Sequence, residues 1–138
     1  MGRVKKYTTL LASAARTATP DDIQLETLFP SESRTALSLG NMVNLHLTID
    51  ATVDAASASI QPAIVGVDTV SGAEYALLAS MTAVASVTSV TYKIGINITT
   101  AANTAQLVSI PSSVIIRFTH ADADSITYSA GIHTEHEV

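Results

Sequence analysis

Between Val43 and Asp50 the chain alternates strictly: Val43, Leu45, Leu47 and Ile49 are apolar, while Asn44, His46, Thr48 and Asp50 are polar. A period of two puts successive side chains on opposite faces of a β-strand, one buried and one wet, and a helix has no use for it. The same period returns in Val90–Ile98, where Val90, Tyr92, Ile94, Ile96 and Ile98 oppose Thr91, Lys93, Gly95 and Asn97. It returns again in Val114, Ile116 and Phe118, and in Ile126, Tyr128 and Ala130. Turn signals separate these runs. Val70-Ser71-Gly72-Ala73 predicts a hairpin from an Ile60–Val70 strand into Glu74–Ser80, and Ala121-Asp122-Ala123-Asp124 predicts another. Thr99–Gln106 reads as a polar loop, and Pro111 marks an edge or a strand start. Short, closely spaced strands without a convincing helix predict an all-β fold, an antiparallel β-sandwich of jelly-roll or immunoglobulin-like form.

Composition supports a packed core. Val, Ile and Thr fill 42 of 138 positions, and β-branched side chains suit a pleated, half-buried surface. With two Phe, four Tyr and no Trp, that core is expected to be aliphatic. Cysteine is absent, which removes disulfides, thiolate metal sites and Cys nucleophiles, and a small domain without such staples leans on oligomerisation. The Ile60–Val70 strand is apolar on both faces, with Ile64 on one and Val65 and Val67 on the other. A lone two-layer sandwich has no use for the second apolar face. Ile64, Val65 and Val67 are therefore expected to contact a second copy of the chain.

Residues 1–40 read differently and are expected to form an extended N-terminal arm, ahead of a sandwich domain at 41–132 and a polar C-terminal tail at 133–138. Residues 1–19 carry Arg3, Lys5, Lys6 and Arg16 and no acid, a charge of +4; the rest holds three bases and all twelve acids, a charge of −9. Val4, Tyr7, Leu11 and Ala14 fall at helical spacing, but Thr8, Thr9, Thr17 and Thr19 dilute any helix. Pro20 and Pro30 bracket an acidic segment in which Ile23, Leu25 and Leu28 can anchor on the body and Asp22 can cap one helical turn. Arg3, Lys5, Lys6, Tyr7, Leu10 and Leu11 are the candidates for docking on an acidic partner surface.

An acidic, aromatic-poor body argues against nucleic acid as a partner. No apolar run approaches the ~20 residues that cross a bilayer, so no membrane partner is expected. Met1 to Ala15 imitates a signal peptide, but Thr8, Thr9 and Ser13 interrupt its short apolar stretch. Gly2 opens a myristoylation-like start, yet Lys6 stands where Ser or Thr is wanted.

Little in the chain suggests chemistry. His133 and His136, with Glu135 and Glu137 beside them, would suit a metal on a helix, but they lie in the last six residues, where a solvated tail is expected and no framework fixes coordination. Asp122-Ala123-Asp124-Ser125 lacks the glycine and distal glutamate of an EF-hand loop and reads as a turn. His46 and His120 could serve as general bases, with Asp50, Asp122 or Asp124 as orienter, but the chain has no G-x-S-x-G, P-loop, G-x-G-x-x-G or H-E-x-x-H. The sequon Asn97-Ile98-Thr99 is too short a pattern to carry weight. A non-enzyme without cofactor is expected.

Four segments carry a family likeness: LHLTIDAT (Leu45–Thr52), VDTVSGAEYALLAS (Val67–Ser80), TTAANTA (Thr99–Ala105) and HADADSITYSAG (His120–Gly131). In this order and spacing they resemble small virion structural proteins of tailed bacteriophages, of the head decoration or auxiliary capsid kind. ASAARTATP (Ala12–Pro20) resembles the opening of such proteins. The likeness spans about residues 37–132. It departs at Ser112–His120, where a Trp is expected, in the long Asp21–Gly40 segment, and in the tail after Ile132.

The resemblance implies a particle component and supplies no catalytic residue. The expected function is capsid decoration: a homotrimer on the outer head surface, bound to the major capsid protein and present in the host cytoplasm during assembly. A tail or neck component (tube, adaptor or fibre base) is the alternative within the particle. A cell-surface or glycan-binding module is the alternative outside that class, with the scarcity of aromatics against it.

Overall fold

The computed structural model describes residues 2–29 and 37–137; Pro30, and with it the end of the bracketed acidic segment, lies outside them. The described residues form nine strands: β1 (Arg3–Arg16), β2 (Ile23–Gln24), β3 (Met42–Val53), β4 (Ile60–Val67), β5 (Glu74–Ala76), β6 (Thr88–Gly95), β7 (Ala105–Leu107), β8 (Val114–His120) and β9 (Ile126–Glu137). They make two sheets, in the orders β1-β9-β3-β6-β7 and β2-β8-β4-β5. The all-β sandwich is as expected. Its strand order also separates the two forms left open above. With β7 set aside, the antiparallel partners nest as β1 with β9, β2 with β8, β3 with β6, and β4 with β5. That is a folded ribbon rolled on itself, the jelly roll, and not the immunoglobulin order.

Period-two segments bury the face they predict. Leu45, Leu47, Ile49, Ile60, Ile64, Ile94, Val114 and Ile116 are all at most 1% exposed, and they meet between the sheets. The core is not purely aliphatic. Tyr92, Phe118 and Tyr128 are at most 1% exposed, so scarce rings are concentrated at the centre. Each buried hydroxyl finds a partner, since an unpaired one would be costly. Tyr92 donates to the Thr82 carbonyl, and Tyr128 shares a 2.9 Å hydrogen bond with His120 Nε2. Burial pushes the Tyr92 phenol up to about 12.

The expected arm is part of the sandwich. β1 lies antiparallel along β9 from Arg3 opposite Glu137 to Arg16 opposite Ile126. Arg3, Lys5, Tyr7 and Thr9 alternate with Val4, Lys6, Thr8 and Leu10, a strand pattern that the helical spacing of Val4, Tyr7 and Leu11 obscured. A register shift between Thr9 and Leu11 lets Leu10 and Leu11 both pack on the core. Arg16 secures the far end by donating to the carbonyls of Tyr128 at 2.7 Å and Ala12 at 2.6 Å.

The following segment is equally bound in. Leu25 is fully buried in a single 3-10 turn, Leu25–Thr27, while Leu28 stays exposed. Asp22 caps nothing; it takes a forked hydrogen bond from Arg117, which also clasps Glu74 on β5. Those bonds hold the Asp22 and Glu74 carboxyls below the usual range. Glu26 accepts from Ser113 Oγ at 2.7 Å and from the Val114 amide at 3.0 Å.

Three further expectations are corrected. Ala121–Asp124 does not close a hairpin, because β8 and β9 belong to different sheets; the turn, with the Asp124 amide donating to Asp122 at 2.9 Å, carries the chain from one layer to the other. β6 stops at Gly95 rather than Ile98, since φ there is +150° and the ladder breaks. The Thr99–Gln106 segment contributes a short strand, β7, parallel to β6.

Candidate functional site

The expected tail is the end of β9. In a strand, residues three apart lie on opposite faces, and that parity separates His133 from His136, so the two cannot share a metal. His136 is fully buried: its Nδ1–H donates to the Ser38 carbonyl at 2.9 Å, and its Nε2 accepts from Thr134 Oγ1 at 2.9 Å. His133 turns to the outer face of the five-stranded sheet. Among the described residues no three His, Cys, Asp or Glu side chains are placed to hold a metal ion.

Burial lowers the affinity of His136 for protons, as it does for His46 and His120. Because the folded state favours the neutral imidazole, the unfolded chain takes up protons first as pH falls. The stability these groups contribute is complete above 6.5, the ordinary value, and is lost as pH drops below it towards their folded-state values. Urea unfolding is expected to show stability falling as pH drops below 6.5, towards the lowered folded-state values of these histidines. His136→Gln should flatten that slope; an unchanged slope would assign it to other groups.

The outer face of this sheet carries the candidate site. Its strands are in register, so outward side chains form rows across β1, β9, β3 and β6. One row is Tyr7, His133, His46 and Lys93; the next is Thr9, Gly131, Thr48 and Thr91; on the other side lie Lys5, Glu135 and Asn44. Strands spaced ~4.8 Å apart make the central row roughly 14 Å long. The Tyr7 ring stacks on His133, with centroids 4.5 Å apart and planes at 14°, and His133 meets His46 edge-on at 5.4 Å. Thr48 and Thr91 share a 2.9 Å hydroxyl hydrogen bond.

Beyond Gly95 the chain rises into a loop that walls one side of this face. The loop is tied down by polar contacts. Asn44 Oδ1 accepts from the Asn97 amide at 3.4 Å, and Asn44 Nδ2 donates to Glu135 at 3.4 Å. Arg3 donates to Glu135 at 3.3 Å, and with the Asn97 amide oxygen turned toward it also to Asn97 at 2.7 and 2.9 Å. Partial burial alone would raise the Glu135 carboxyl, but Asn44 and Arg3 hold it below its ordinary value. His46 is pushed down first by burial and then by His133 and Lys93.

Between loop and sheet lies a cleft of about 550 Å³, lined by His46, Thr91, Lys93, Asn97, Thr104 and Glu135 among others. A second hollow of about 270 Å³ lies over Gly131, bounded by Tyr7, Thr48 and His133. The paired His46 and His133 form the saddle between the two.

Of the docking candidates, Arg3, Lys5 and Tyr7 are brought together on this face. Lys6 is exposed on the opposite side of β1, and Leu10 and Leu11 pack on the chain's own core. The candidates for self-contact fare differently. Ile64 is 1% exposed within the core and Val65 is 7% exposed, so neither offers surface to a second copy; only Val67 is half-buried. On the second face of β4, Val65 is flanked within its sheet by Ala76 on β5 and Ile115 on β8 and is already buried in the single chain. His46 and His120 do not converge: one faces outward on β3, the other bonds Tyr128 at the end of β8.

His133, Lys93, Glu135, Asn44 and Thr91 were not recognised as a site from the sequence. Strand parity would have grouped His46 with Thr48 and Lys93 with Thr91, but pairing them with His133 required knowing that β9 continues to Glu137. No family model matches this chain, and no curated protein or solved structure matches it either.

Proposed function

We propose that this protein is a structural component of a tailed-bacteriophage particle, a decoration protein that binds the outer surface of the head and stabilises it. The observation that carries the reading is the resemblance of four ordered segments to such virion proteins. They fall on distinct joints of the fold: Leu45–Thr52 on the central strand β3, Val67–Ser80 on the β4–β5 hairpin, Thr99–Ala105 on the approach to β7, and His120–Gly131 on the passage between the sheets. A rolled sandwich with a long basic edge strand also suits a protein that works by binding. Decoration acts by adding buried area across capsomer joints that internal pressure tends to open.

In this reading the basic edge strand β1 docks on the major capsid protein through its exposed Lys6 side. Self-association as a homotrimer belongs to the same proposal, with contacts outside Ile64 and Val65. Quantitative mass spectrometry of purified particles tests it by counting this chain against the major capsid protein. A ratio near one-to-one is the expected result. A few copies per particle would move the protein to the neck or tail, and absence from the particle would overturn the reading.

A further inference from the structure

We propose that the outer face of the five-stranded sheet is a binding groove for a short oligosaccharide bearing a carboxylate, with Lys93 holding the acid group and Tyr7 stacking a neighbouring sugar ring. This goes beyond the particle assignment and does not rest on it.

Shape comes first. The cleft and the hollow over Gly131 follow one another across the same row of strands, and 550 Å³ lies within the range of small-ligand sites. The hollow exists because Gly131 brings no side chain to a face where its neighbours Thr9 and Thr48 do. Two depressions set side by side across one sheet face fit a chain of rings better than a compact metabolite.

Lining chemistry selects the class. Thr48, Thr91, Thr99 and Thr104 present hydroxyls, Asn97 an amide, and His46 a ring that burial keeps neutral near pH 7, so the groove mixes donors and acceptors as a polyhydroxylated ligand requires. Apolar anchors of the kind that dominate protein interfaces are few here. Tyr7 is 75% exposed although one ring face is stacked on His133, which leaves the other face open to the C–H side of a sugar.

Charge selects the acid. Glu135 is already engaged by Arg3 and Asn44, whereas the Lys93 ammonium has no ion pair or hydrogen bond among the described residues. In a chain of net charge −5 an exposed unpaired ammonium in a cleft is a vacancy for an anion. Arg3 is committed to Glu135 and Asn97, which leaves Lys93 to meet an anion in the cleft. A single ammonium beside hydroxyls suits one carboxylate.

Titration of the full chain with trigalacturonate and with sialyllactose, followed by amide NMR shifts, tests this against lactose and galactotriose as neutral counterparts. At least one acidic sugar is expected to bind with Kd near 1 mM or better, shifting the amides of Thr91, Lys93 and His133. Neutral sugars should bind at least tenfold more weakly. Lys93→Met should weaken acidic-sugar binding about tenfold and Tyr7→Ala several-fold. Both residues are exposed, and an unaltered spectrum away from the groove confirms that each variant is folded. Failure of both acidic sugars at about 10 mM, equal binding of neutral sugars, or indifference to Lys93→Met would each overturn the proposal. The particle count would be unaffected by any of these results, so the two proposals fail separately.

Discussion

Gly95→Ala is expected to cost about 3 kcal/mol or more, a large share of the 5–15 kcal/mol that holds a small domain together. Two effects act at once. The backbone has φ +150°, a conformation that L side chains rarely adopt. A methyl group there would also overlap the Val43 carbonyl and the Asn44 side chain, and the Asn44 Cα would lie at 2.8 Å. Neither the strained dihedral nor backbone on a central strand yields cheaply.

Gly66→Ala is the informative contrast. There the three atoms nearest the added methyl all belong to the outer end of the Tyr75 ring, at 2.5 to 2.8 Å, and Tyr75 is 48% exposed, so a side chain rather than backbone has to give way. A cost below about 1 kcal/mol is expected. Urea unfolding of both variants checks the pair, and similar losses at the two sites would refute the account of Gly95.

Removing residues 2–16 is expected to abolish the folded domain. A projecting arm would be dispensable, so the experiment separates two descriptions of the same residues. β1 pairs with β9 along nearly its whole length and contributes Leu10 and Leu11 to the margin of the core. Its loss would leave the twelve residues of β9 as a bare sheet edge, a template for aggregation. The loss should exceed about 5 kcal/mol, comparable with the entire stability of the fold. Circular dichroism and size-exclusion chromatography of a chain beginning at Thr17 provide the readout. A soluble, cooperatively unfolding product with an unchanged midpoint would restore the arm.

His136 shows why the two ends of the chain were hard to read. The run His133-Thr134-Glu135-His136-Glu137 carries five polar or charged residues and looks like a solvated tail. In the fold it is a strand with β1 on one side and β3 on the other, and His136 is buried because Ser38 and Thr134 satisfy both ring nitrogens. Burial of such a residue depends on partners 98 and 2 positions away. The same holds for β1, whose Val4, Tyr7 and Leu11 fall at helical spacing and whose strand form is set by its pairing with β9. Val65 is the converse: its apolar character was plain, but whether it faced a partner or its own chain turned on β5 and β8 lying beside it.

Local chemistry alone determined that this protein is an all-β sandwich with alternating strands at Val43–Asp50, Val114–Phe118 and Ile126–Ala130, another starting near Val90 whose end it overran to Ile98, and a hairpin at Ser71-Gly72. Those features follow from side-chain period and turn residues, which act over a few positions. The tertiary structure decided the rest: jelly-roll order, the incorporation of both termini as strands, the passage between sheets at Asp122, and the row of Tyr7, His133, His46 and Lys93. These depend on which strand lies beside which. Strand pairing joins residues more than a hundred positions apart through backbone groups that every residue shares, so no local pattern of side chains specifies it.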